Sequence, residues 1–85
     1  MTIFNFSFLI STFDLTYEDV ADKLYSNGCD DALVSLINNV CEIEFDREGD
    51  TLVKAITSAI RNIEDANVGN VYRTKILFEK NLDDN

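Results

Sequence analysis

The chain has 85 residues, sixteen acidic and seven basic, no histidine, no proline and a formal charge of −9. That size makes one domain with a modest core, and a hydrophobic fraction of 46% is that of a folded chain rather than a disordered one. A field of that sign repels phosphate backbones and anionic membranes and steers toward basic partners, so direct nucleic-acid binding is disfavoured.

No apolar run is long enough to span a membrane. The first ten residues lack a basic flank and interleave Asn5 and Ser7, which argues against a signal peptide. A soluble, cytoplasmic protein is the expectation. Cys29 and Cys41 do not have metal-pair spacing and have no histidine to complete a zinc site. In the cytosol free thiols are the expected state. No cofactor is expected.

The segment TIFNFSFLIS alternates Phe4, Phe6, Phe8 and Ile10 against Ile3, Asn5, Ser7 and Leu9. Period two predicts a first strand whose phenylalanine side faces the core. Thr16 is a good N-cap, with Asp19 three residues on, and Val20 and Leu24 lie one turn apart on an apolar face. Asp19 with Lys23 has the spacing of a cross-turn ion pair, and Asn27-Gly28 stops this short helix.

Ala32 to Ile37 and Val40 to Asp46 read as a hairpin, with Asn38-Asn39 as a type I′ turn. Leu33, Val34, Leu36 and Ile37 fall on both faces of the first hairpin strand, so its buried side is open from sequence. In the second, Cys41, Ile43 and Phe45 alternate with Glu42, Glu44 and Asp46: one buried face and one of pure negative charge.

Leu52, Ala55, Ile56, Ala59, Ile60 and Ile63 form one apolar stripe of a longer helix. Asp50 or Thr51 caps it, Arg61 is placed to pair with Asp65, and Asn67 with Gly69 ends it. NVYRTKILFEK is the last strand, with Tyr72, Ile76 and Phe78 expected on one side and Arg73, Lys75 and Glu79 on the other. Residues 1–80 then make a single domain and 81–85 a polar acidic tail.

Strand, helix, strand, strand, helix, strand gives two right-handed β-α-β units sharing a hairpin. The expected class is α+β, a ferredoxin-like βαββαβ fold: a four-stranded antiparallel sheet with two helices on one face. The open face should carry Glu42, Glu44 and Asp46 on one flank and Arg73 and Lys75 on the other, with Ile3, Asn5, Ser7 and Leu9 between. RNA-binding domains of this topology present aromatics on that face, flanked by basic residues. Here the aromatics of the central strands point to the helices, which argues against RNA recognition.

Groups for catalysis are few. There is no phosphate-binding glycine loop, no Ser–His–Asp set and no cysteine in an evident basic setting. Acylphosphatases share the topology but use an arginine and an asparagine around a glycine-rich anion loop, where this chain reads STFDLT. Glu42 and Glu44, two residues apart on a surface strand, read as a solvated face before they read as an acid–base pair. DREGD lacks the ligand pattern of a calcium loop. No metal site is expected, and the chain reads as non-enzymatic.

Binding remains. A sheet edge can pair with a partner's strand or with a second copy, and the acidic face can occupy a basic groove built for nucleic acid. The expected partner-binding residues are Glu42, Glu44, Asp46, Glu48, Asp30 and Asp31.

From Gly28, Cys29, Asp30, Asp31 and Ala32, through Phe45, Asp46, Arg47 and Glu48, to the helix from Ala55 to Ala66, the chain resembles a group of small bacterial proteins. These are described as antitoxins or DNA-binding regulators. A DNA-binding helix-turn-helix commonly follows the last strand in that group; these 85 residues end where it would start. The resemblance therefore implies an interaction or dimerisation domain, the part that meets a toxin. The expected function is an acidic module that binds and neutralises or regulates a protein partner, antitoxin-like. The alternative is a phage- or mobile-element-encoded inhibitor, an anti-CRISPR-like nucleic-acid mimic that blocks a basic groove.

Overall fold

A computed structural model describes the backbone of residues 2–38 and 40–81, and the side chains of those residues up to 77. Six elements follow one another: β1 (Thr2–Thr12), α1 (Tyr17–Ser26), β2 (Ala32–Ile37), β3 (Val40–Gly49), α2 (Leu52–Ala66) and β4 (Gly69–Asn81). The sheet is antiparallel with strand order β2-β3-β1-β4, the ferredoxin-like α+β arrangement. The expected tail beyond Asn81 lies outside the described residues.

Local chemistry sets the helix ends. The Thr16 hydroxyl accepts from the Asp19 N–H at 3.2 Å, and the Thr51 hydroxyl accepts from the Lys54 N–H at 3.1 Å. Each cap satisfies a donor that the first turn leaves without a partner. α1 closes where the Cys29 N–H reaches back to the Leu24 carbonyl, with Gly28 at φ 91°. α2 ends at Asn67 in the left-handed region, φ 56°. The cross-turn pairs Asp19–Lys23 and Arg61–Asp65 do not close; among the described residues the ion pairs are Arg47–Asp31 and Lys54–Asp50. Exposed pairs of this kind gain little Coulomb energy in water.

The core lies between the helices and the phenylalanine side of β1. Phe6, Phe8 and Phe45 are fully buried, with ring centroids 5.5–5.7 Å apart in stacked and edge-to-face arrangements. Ala55 and Ala59 are buried on α2, and their small side chains let that helix lie close to the sheet. Cys29 and Cys41 are free thiols, both fully buried.

The structure decides the side of β2. Val34 is buried and Leu36 packs against the core, while Leu33 and Ile37 stand on the open face, 68% and 71% exposed. It also changes the reading of β4. Two register shifts interrupt its pairing with β1, between Asn5 and Phe6 and between Leu9 and Ile10. Along the backbone Ile76 pairs with Phe6 and Phe78 with Asn5, so strict alternation breaks between them, while the expected sides of the Phe78 and Glu79 side chains lie outside the described residues. Gly69 opens β4 because a Cβ there would meet the backbone of Ser11 and, at 2.8 Å, the Cα of Thr12.

Candidate functional site: the carboxylate row on the open sheet face

β3 is a central strand, and its even-numbered residues project away from the helices. Glu42, Asp46 and Glu48 are exposed and Glu44 is half-buried. Alternate residues of one strand are about 6.8 Å apart, so the four carboxylates form a line along the sheet.

The register fixes what faces them. Ser7 pairs with Glu44 on one side and Lys75 on the other, and Leu9 pairs with Glu42 and Arg73. The acids on β3 and the cations on β4 are thus two strand spacings apart, about 9.6 Å, with β1 between them. No ion pair bridges the gap among the described residues. A trough of about 480 Å³ lies there, lined by Ser7, Leu9, Glu42, Arg73, Thr74 and Lys75. The face is bipolar: negative over β3, positive over the middle of β4.

Asn5 organises the middle of the acid row. Only 3% exposed, it directs its side-chain amide at the Glu44 carboxylate (3.1 Å), the Asp46 carboxylate (2.9 Å) and the Phe45 carbonyl (3.0 Å). One buried donor therefore holds two like charges in fixed positions, a charge-assisted arrangement. Among the described residues, Glu42 and Glu48 receive no such bond and are free to meet a partner.

The remaining two expected residues sit apart. Asp30 is exposed in the loop before β2. Asp31 is engaged internally: Arg47 Nε donates to its Oδ2 at 2.8 Å and Nη2 to its Oδ1 at 2.9 Å, a bidentate pair. The same guanidinium donates to Ser58 Oγ (3.1 Å), Asn62 Oδ1 (2.8 Å) and the Gly28 carbonyl (2.8 Å), and lies 4.8 Å from the Phe45 ring centroid. The Asp31 hydrogen bond raises the Arg47 pKa, against the opposing effect of burial. This cation ties the α1–β2 loop to α2 and β3. Asp31 thus belongs to the fold's internal support rather than to the open face.

Arg47 and Asn5 are the two organising residues that sequence reading passes over. The signal for Arg47 is present: it continues the parity of Cys41, Ile43 and Phe45, which places it on the helix side. Among the described residues no group of three or more Cys, Asp and Glu side chains could hold a metal ion. No helix among them is long and apolar enough to cross a membrane.

No known family model matches the chain, and neither the curated proteins nor the solved structures include a match to it.

Proposed function

We propose that this is a non-enzymatic interaction module whose working surface is the carboxylate row of β3, and that it binds and regulates a protein partner with a basic surface, in the manner of an antitoxin. The observation that carries this reading is the row itself. Four carboxylates line a central strand on the face that neither helix covers, and a buried asparagine fixes two of them. Fixed, aligned charges lose little conformational freedom when a partner's lysines and arginines arrive, and the charge of −9 steers such a partner inward.

A second reading has its own support. The even repeat of about 6.8 Å along β3 is comparable with the spacing of neighbouring phosphates on an extended nucleic-acid strand. A nucleic-acid mimic would place that row in a groove evolved for a backbone, and would compete with oligonucleotide for it.

Reversing the two unheld carboxylates, Glu42→Lys with Glu48→Lys, tests both readings without touching Asn5. Each predicts loss of partner binding in a folded variant. Only the mimic predicts that added oligonucleotide displaces this protein from its partner.

A further inference from the structure

The two edges of the sheet differ in a way that says how a partner approaches. β4 carries Arg73 and Lys75 and two register shifts, devices that discourage strand addition. β2, ALVSLI, carries no charge, and its pairing with β3 is uninterrupted from Ala32 to Ile37.

Its hydrogen-bond phase follows from the Asp46 N–H donating to the Asp31 carbonyl at 3.2 Å, since bonded and non-bonded pairs alternate along an antiparallel ladder. Leu33, Ser35 and Ile37 direct their backbone groups to β3. Ala32, Val34 and Leu36 turn theirs outward, where no further strand lies among the described residues. The open-face row of β2 is Leu33, Ser35 and Ile37, and small Ser35 stands directly beside Glu42.

We propose that β2 accepts one extended strand of the basic partner, with the pattern apolar–x–(Lys or Arg)–x–apolar on its open-face side. This rests on the acidic-face reading above and names its mode of contact. The apolar positions cover Leu33 and Ile37. The central cation passes over Ser35 to the carboxylate of Glu42, two strand spacings or about 9.6 Å from the added strand, a gap that an extended lysine and a glutamate span together. Charge supports this choice of side, because Arg73 and Lys75 repel a basic partner from the β4 side. It also separates a partner from a second copy. Ala32–Ile37 contains no cation, so a β2–β2 pairing would leave Glu42 unanswered.

The test uses two capped nine-residue peptides of alternating threonine and valine, one with lysine at the central inward position and one with glutamate there. They are titrated into the full-length, isotopically labelled protein and followed by amide NMR. The lysine peptide should saturate, with its largest shifts at Ala32, Val34 and Leu36, and bind at least fivefold tighter than its glutamate twin. Glu42→Gln should reduce that preference to less than twofold, and Leu33→Lys with Ile37→Lys should abolish binding.

Equal affinities for the twins, shifts centred on β4, or no saturation in the millimolar range would overturn the proposal. So would sedimentation of the free protein as a dimer that Ile37→Lys dissociates, since a second copy would then occupy the edge. If the peptides fail while Glu42→Lys with Glu48→Lys still abolishes partner binding, strand addition falls and the acidic-face reading stands. If that pair of reversals also has no effect, the reading beneath it falls as well.

Discussion

Arg47 holds Asp31 in a bidentate grip, Nε to Oδ2 at 2.8 Å and Nη2 to Oδ1 at 2.9 Å, and so binds the loop after α1 to the inner face of β3. Removing the cation strands the Asp31 carboxylate, Ser58, Asn62 and the Gly28 carbonyl at once. Arg47→Ala is expected to cost about 3 kcal/mol, read as a lower urea midpoint at unchanged slope. Arg47→Lys should recover little of it, since an ammonium cannot reproduce the planar fork. Asp31→Asn should also lower stability. Unchanged stability with weakened partner binding would instead return Asp31 to the binding surface.

Asn5 supplies a donor to Glu44 and Asp46. Asn5→Asp keeps the shape but puts a third carboxylate against two others in a buried position. At neutral pH the loss is expected to be about 3 kcal/mol. Burial and like charge raise the new carboxyl's folded pKa above its unfolded value. Its ionisation penalty is therefore absent at acid pH and grows as pH rises. The stability gap from wild type should narrow as pH falls from 7 toward 4, measured by urea unfolding across that range. A gap independent of pH would contradict the assignment.

Burial pushes the thiols of Cys29 and Cys41 up to about 11 from an ordinary 9.0; Arg47 partly opposes the rise at Cys29. Both folded values lie above the unfolded ones, so the folded state holds its protons longer. The associated stability is fully present below pH 9 and is lost as pH climbs from about 9 to about 11. Replacing both cysteines by alanine should flatten that alkaline decline. In the wild type, reaction with a thiol reagent at pH 8 should be slow and should accelerate on unfolding.

Gly69 pairs with Thr12 where β4 joins the sheet. Its missing Cβ is what allows the approach, because the nearest obstacles are backbone atoms of Ser11 and Thr12. Gly69→Ala is expected to destabilise by about 2 kcal/mol or more, whereas the same change at an exposed strand glycine would be neutral or favourable. Amide exchange should show the added opening concentrated at Val71 and its neighbours on β1.

Both helices are legible in the sequence because they are set locally: Thr16, Asn67 and the three–four stripe of α2 need no knowledge of the sheet, while the cap of α2 reads as either Asp50 or Thr51 and the structure selects Thr51. The parity of β3 also read directly, and with it the exposed carboxylates. The bulges of β4 were not legible. Period two assigns Tyr72, Ile76 and Phe78 to one side, but the register depends on how a long edge strand accommodates the twist of β1. The roles of Asn5 and Arg47 depend on pairing between segments some forty and fifteen residues apart, which a one-dimensional pattern does not display. β2 stayed ambiguous because four apolar residues covered both faces, and only its place at the sheet edge explains two exposed ones.

The central claim is that the carboxylate row of β3 is the working face. Affinity capture from the native host, with the wild type and the Glu42→Lys, Glu48→Lys variant side by side, tests it most directly once circular dichroism shows both folded. The account predicts a partner with a basic surface that the wild type retains, that moderate salt releases, and that the variant loses by at least a hundredfold in affinity. The same partner held equally by both proteins would contradict it.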